Sequence, residues 1–174
     1  MKTLNRDVLK IISTLMLYPN PELFLVNWDS ELKQQYDPFI RCELSSFLKY
    51  LKSDELIKLQ ENYVRTFDFS EPHNLYLTSS RNMEESKRGF ILAELIQIYE
   101  NTGFTLTTSE PPDFLPLFLE ILSQCDEEVS FTLLNRFHDA IDEKTNSLTQ
   151  TNSPYASLFT VLQNIINQNL DEEV

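Results

Sequence analysis

Only two of the 174 residues are glycine, Gly89 and Gly103, about 1% where ~7% is usual. A chain so poor in glycine has few places for left-handed or side-chain-free backbone. Hairpin-rich β folds and phosphate-cradling loops both need many such places. Helix remains, and the apolar residues recur at helical spacing almost throughout. Leu4, Val8, Ile11, Ile12, Leu15 and Met16 mark a first helix, stopped by Pro19 and Pro21. A second is predicted loosely over Glu22 to Tyr36. Ile40, Leu44, Phe47, Leu48 and Leu51 mark a third. Ser53-Asp54-Glu55 is expected to cap a fourth, with Leu56, Leu59, Tyr63, Val64 and Phe67 on its apolar face.

A connector with Pro72 follows, with a short helical piece expected at Leu75-Tyr76-Leu77. A long helix is predicted from Met83 to Asn101, closed by Gly103 as a left-handed cap. The next helix should start at Pro112, a residue suited to the first helical position, and run to about Gln124. One more helix carries Val129, Leu133, Phe137, Ala140, Ile141 and Leu148. Ser153-Pro154 opens the last, as an N-cap followed by proline. The expectation is an all-α fold, a single bundle of seven to eight helices. It forms one domain over residues 1–170, with an acidic tail at 171–174.

Charge narrows the partners. The net charge is −13 and it is unevenly spread. Residues 1–88 carry 12 basic and 13 acidic side chains; residues 89–174 carry 2 basic (Arg136 and Lys144) and 14 acidic. Such a surface disfavours nucleic acid. It either keeps the protein soluble or steers a basic partner to the second half. Cys42 and Cys125 show no paired spacing, which fits a reducing compartment and no disulfide framework. No run reaches the ~18 apolar residues of a membrane span. These features predict a cytoplasmic protein without stable membrane insertion.

The chemistry of catalysis is missing from the pattern. His73 and His138 are isolated, no Cys-x-x-Cys or His-Glu-x-x-His occurs, and a Gly-x-Ser-x-Gly elbow cannot be built. No enzyme activity and no bound metal or cofactor are expected. Two segments stand out instead. Tyr63 and Phe67 lie i, i+4 on one helix face, as core or as the wall of a groove. In Glu110-Pro111-Pro112-Asp113-Phe114-Leu115-Pro116 a carboxylate is expected in a first helical turn, where the helix dipole favours it by about 0.3–1 kcal/mol.

Together these segments resemble the NarJ-type assembly chaperones of respiratory nitrate reductase, within the TorD/DmsD-like redox-enzyme maturation group. The group's aromatic-x-x-Leu-Phe motif is similar to Tyr63…Phe67, with Thr66 in place of leucine. Its Glu-Pro-x-Asp-His motif is similar to Glu110…Pro116, with Phe114 in place of histidine. Leu15-Met16-Leu17-Tyr18-Pro19 and Ser153-Pro154-Tyr155-Ala156-Ser157-Leu158-Phe159 resemble further family segments. Lys87-Arg88-Gly89 matches an Arg-x-Arg-Gly helix only in part.

The resemblance implies a system-specific chaperone. It would bind the N-terminal segment of the nitrate reductase catalytic (alpha) subunit and hold the apo-subunit open. It would assist insertion of the molybdenum bis-guanine-dinucleotide cofactor, acting as a monomer. The client-peptide-binding residues implied are Tyr63, Phe67, Glu110, Pro112, Asp113, Phe114, Leu115, Pro116, Leu119 and Glu120. Two alternatives stay open: a TorD/DmsD-like chaperone reading the twin-arginine signal of another molybdoenzyme, and a helical scaffold with no client-folding role.

Overall fold

The computed structural model describes residues 4–79 and 84–170. Within them the chain forms nine α-helices and no strand, apart from one isolated β-bridge. They are α1 (Arg6–Leu15), α2 (Trp28–Glu31), α3 (Pro38–Ser53), α4 (Leu56–Phe67), α5 (Glu85–Asn101), α6 (Leu115–Leu122), α7 (Glu127–Arg136), α8 (His138–Gln150) and α9 (Ala156–Leu170). The all-α expectation holds. The predicted tail, 171–174, lies outside the described residues, as does the Met83 start of the long helix.

The core follows the apolar stripes. Val8, Leu9, Ile12 and Leu15 of α1 are buried against α6, where Leu115, Phe118, Leu119 and Leu122 have no exposed surface. Ser13 ties the pair together, its hydroxyl donating to the Pro116 carbonyl at 2.6 Å. Helix α9 packs on α3 and α8 through Leu158, Phe159, Leu162 and Ile166. Gly103 closes α5 at φ +94°, the cap anticipated from sequence, and Phe104 N–H donates back to the Tyr99 carbonyl. Among the described residues Asn152, beyond α8, also has positive φ, and asparagine is the residue type that tolerates it best after glycine.

Several expectations give way to local chemistry. The Glu22–Tyr36 helix does not form. The segment is a 3₁₀ turn (Pro21–Phe24), the single turn α2, and loop. Asn20 and Asn27 accept from the amides of Glu22 and Ser30, so side chains take over bonds a helix would make. Buried Trp28 and Tyr36 anchor it, Trp28 Nε1 donating to the Leu23 carbonyl at 2.8 Å. At the start of α4 no side chain caps the helix, and Asp54 faces Lys58 at 3.8 Å instead.

The helix predicted through Val129 and Leu148 is two helices. It breaks at Phe137, whose ring packs edge-on against Phe118 at 5.5 Å in the core. At α9 the Ser153 hydroxyl accepts from the Tyr155 amide as anticipated, and regular helix begins at Ala156.

Candidate functional site

The segment between α4 and α5 organises the region. It contains a 3₁₀ turn (Glu71–His73) and then, where a helical piece was expected at 75–77, a bend, one isolated bridge from Tyr76 to Phe114, and a turn. Leu77 N–H donates to the Asp113 carbonyl at 3.0 Å, and Leu115 N–H to the Leu75 carbonyl at 2.7 Å. These two bonds explain a second correction. Helix α6 starts at Leu115, not at Pro112, because the backbone of Asp113 and Leu115 is already paired with residues 75–77. An N-terminal amide that would be orphaned at the helix start is satisfied by the neighbouring strap. Pro116, rather than Pro112, occupies the first turn.

Asp113 therefore is not a solvated first-turn carboxylate. It has no exposed surface, and its Oδ2 accepts from Thr78 N–H at 3.0 Å and Thr78 Oγ1 at 2.6 Å. Arg88 Nε donates to the same Thr78 hydroxyl at 3.1 Å. The other carboxylate oxygen, Oδ1, is buried without a hydrogen-bond partner. From the opposite side, Lys144 Nζ donates to the Asn74 carbonyl at 2.7 Å, and His73 Nε2 meets Ser147 Oγ at 2.7 Å. Burial pulls the Lys144 ammonium down to about 8 and holds the His73 imidazole below its ordinary range.

On its outer side the strap carries Tyr76, half-buried, between the two segments singled out by sequence. The Tyr76 hydroxyl donates to Glu110 Oε2 at 3.3 Å, and its ring lies 5.7 Å from that of half-buried Phe114. Burial and then the Glu110 carboxylate push the Tyr76 phenol above its usual range, with Asp113 and Asp68 adding to the effect. Tyr63 feels Asp68, Tyr76 and Glu110 in turn, beneath the larger effect of its own burial. The motif pair that is 47 residues apart from Tyr63 to Glu110 is thus one neighbourhood in space.

Most of the expected site residues support this neighbourhood from inside. Tyr63 and Phe67 are core: the Tyr63 hydroxyl donates to the Met16 carbonyl at 3.1 Å, and Phe67 packs 4.7 Å from Tyr155. Pro112 is buried, its carbonyl accepting from Tyr99 Oη at 2.8 Å. Leu115, Pro116 and Leu119 are buried as well. Only Glu110, Phe114 and Glu120 offer surface, and Glu120 makes no side-chain bond among the described residues. In this arrangement a groove wall cannot be built from Tyr63 and Phe67 themselves.

Sequence reading missed the apolar surface next to them. Tyr18 stacks edge-on over Tyr63 at 5.4 Å and is 47% exposed. It opens a recess of about 430 Å³ with Ile57, Gln60, Glu61, Val64, Arg65 and Phe69. Ile57 and Phe69 are 58% and 83% exposed, which is unusual for two apolar side chains on one recess. The outward positions of α4 and the aromatic just after it were the available signal. Among the described residues no cluster of His, Cys, Asp and Glu can hold a metal, and no helix is long and apolar enough to cross a membrane.

The same fold is seen in a crystal structure from Archaeoglobus fulgidus assigned as a redox enzyme maturation protein. It superposes with a TM-score of 0.63 over 96% of each chain, at 23% identity. The protein belongs to the nitrate reductase delta subunit family, whose pattern matches residues 33–161 and so spans both marked segments.

A Bacillus subtilis relative, "Probable nitrate reductase molybdenum cofactor assembly chaperone NarJ", is 32% identical over 93% of this chain and 90% of its own length. The Escherichia coli K12 "Nitrate reductase molybdenum cofactor assembly chaperone NarJ" is 27% identical over 95% of this chain and 72% of its own. These relatives are named as assembly chaperones, not catalysts, and the protein belongs to that class rather than to the enzymes.

Proposed function

We propose that this protein is a dedicated chaperone of a respiratory nitrate reductase. It binds the N-terminal segment of the catalytic alpha subunit in the cytoplasm and keeps the apo-subunit receptive to its molybdenum bis-guanine-dinucleotide cofactor. Membership of the family supports the class of client. The observation that carries the binding mode is the meeting of an apolar recess with two exposed-side carboxylates through Tyr63. Tyr18, Ile57, Val64 and Phe69 supply the apolar part; Asp68 and Glu110 supply the charge.

An amphipathic, net-basic peptide helix matches that pairing. Its apolar face covers Ile57 and Phe69, and a cation on its flank approaches Asp68 and Glu110. Burial of apolar surface dominates, while the charges set orientation and on-rate. The cofactor is the cargo of the client, and no residue of this chain is asked to ligate it. The test is calorimetry with a synthetic peptide copying the alpha-subunit N-terminus. Binding with a negative heat-capacity change, weakened by Phe69→Ser, is the expected result. Absence of binding, or binding indifferent to Phe69→Ser, overturns the mode. A gene deletion that leaves full nitrate reductase activity overturns the role.

A further inference from the structure

One edge of α4 and its C-terminal cap carries charge of alternating sign. Lys58, Glu61, Arg65 and Asp68 are spaced three, four and three residues apart, which keeps them on one side of the helix. On one bank of this edge lies the apolar recess of Tyr18, Ile57, Val64 and Phe69. On the other lies a polar recess of about 520 Å³, lined by Tyr50, Asp54, Lys58 and Asn62 among others. Glu61 and Arg65 line both, so the two recesses meet over these side chains. Lys58 already faces Asp54 at 3.8 Å. Arg65 is exposed, and among the described residues its guanidinium makes no ion pair and no hydrogen bond. It stays unpaired although Glu61 precedes it by one turn in the favoured order for a helix pair.

We infer that Arg65 determines specificity on this surface: its guanidinium takes a carboxylate of the client helix, about one turn from the cation that meets Asp68, and so fixes which way the helix lies. The inference rests on the site reading proposed above, and it names what the client must carry besides an apolar face and a cation. Glu61, Asp68 and Glu110 all attract positive charge, so acidic groups alone let a basic helix lie in either direction. Arg65 stands between Glu61 and Asp68 on the same edge and breaks that symmetry. A client cation brought over it is repelled, and a carboxylate there is held, so one direction gains while the other loses. The three residues from Arg65 to Asp68 match the three- or four-residue repeat of side chains along one flank of a client helix. The guanidinium suits the task, because its planar donors fit a carboxylate in pairs. The sign of the effect sets this apart from general steering. The chain has a net charge of −13. Removing a cation from it should strengthen a net-basic peptide if only the long-range field matters, and weaken it if Arg65 holds a carboxylate.

The test is calorimetry at low ionic strength with wild type, Arg65→Met and Lys58→Met, each as the full chain. Methionine keeps an apolar stem over the recess and removes the charge, and Lys58→Met makes the same change in net charge one edge position away. The probes are the peptide copying the alpha-subunit N-terminus and copies in which each acidic residue in turn becomes its amide. Arg65→Met should weaken the parent peptide by about three- to fivefold, the scale of an exposed ion pair, with an unchanged thermal midpoint. Lys58→Met should not weaken it. One amide copy should bind wild type as weakly as Arg65→Met binds the parent, and should lose nothing further against Arg65→Met. Affinity of Arg65→Met equal to or above wild type overturns the inference. So does an equal loss in Lys58→Met, a loss that comes with a lower thermal midpoint, or the lack of any amide copy coupled to Arg65. The site reading fails separately. If Phe69→Ser weakens binding and Arg65→Met does not, the recess stands and Arg65 has no such role; if wild type does not bind the peptide, both fall.

Discussion

Thr78 and Asp113 form a closed pair in the interior: one carboxylate oxygen, Oδ2, takes both the backbone amide and the hydroxyl of Thr78, and neither residue exposes more than 1% of its surface. A first-turn carboxylate in water contributes about 0.3–1 kcal/mol through the helix dipole. A buried acceptor of two bonds is worth more to remove, because its donors are left unsatisfied at about 1–3 kcal/mol. Asp113→Ala should therefore destabilise by about 1–3 kcal/mol in urea unfolding, and Thr78→Val by a smaller amount. A loss under about 0.5 kcal/mol for Asp113→Ala would return the residue to the role of a helix-start charge.

The pair also marks where sequence reading stops. Helices α1, α3, α4, α5 and α9 were legible because a long apolar stripe at one period overwhelms everything local. Glu110–Pro116 was legible as special and misread in kind. Proline in the first turn and an acidic residue nearby are local signals, and locally they point to a helix starting at Pro112. The actual start is decided by a strap some 35 residues upstream, whose backbone takes the Asp113 carbonyl and the Leu115 amide. Nothing in the spacing of Leu75, Tyr76 and Leu77 distinguishes a turn of helix from a bend with a single bridge. The recess at Tyr18, Ile57 and Phe69 was hidden for the opposite reason: single apolar residues on an outward face are commonplace, and only their convergence makes a surface.

The two glycines should respond in opposite directions. Gly89 lies inside α5, exposed, with nothing within 4 Å of where a Cβ would sit. Gly89→Ala should stabilise by about 0.5–1 kcal/mol, the helix-propensity difference. Gly103 sits at φ +94°. Gly103→Ala has the same open space but the wrong backbone, and should destabilise by about 1–2 kcal/mol. Paired denaturation curves test this; stabilisation by both substitutions would mean that α5 ends in some other way.

Lys144 gives a pH signature. Burial lowers its folded value to about 8 from 10.5. Below pH 8 both folded and unfolded chains carry the proton, and the fold bears the whole cost of the buried charge. Between pH 8 and 10.5 the folded lysine is neutral while the unfolded one is still charged. The unfolded state then binds more protons, so stability rises with pH over this window. The charges that face it are Glu143 and Asp113, both favouring the protonated form, while the neutral Asn74 oxygens accept its hydrogen bonds. The stability of wild type minus that of Lys144→Met should be flat from pH 6 to 7.5 and climb from about 8 to 10. Tyrosine titration is common to both proteins and cancels. A flat difference across the whole range would mean that Lys144 reaches solvent.

Charge neutralisation should distinguish two glutamates that looked alike in sequence. Glu110 touches the Tyr76 hydroxyl and shares its surroundings with Asp68, next to the exposed Phe69. Glu120 projects from the outer side of α6, and none of the titrating groups of the Tyr63–Tyr76 neighbourhood feels it. On the proposed mode, Glu110→Gln weakens the alpha-subunit peptide by about 0.2–1 kcal/mol at low ionic strength, the scale of a surface ion pair, and the loss shrinks as salt rises. Glu120→Gln leaves affinity at the wild-type value. Phe69→Ser costs more than either, because a side chain 83% exposed in the free protein has most of its apolar area still to bury. Titrations of the three variants at two salt concentrations decide it. If Glu120→Gln weakens binding and Glu110→Gln does not, the peptide lies along α6, and the recess at Tyr18 and Phe69 is not where the client sits.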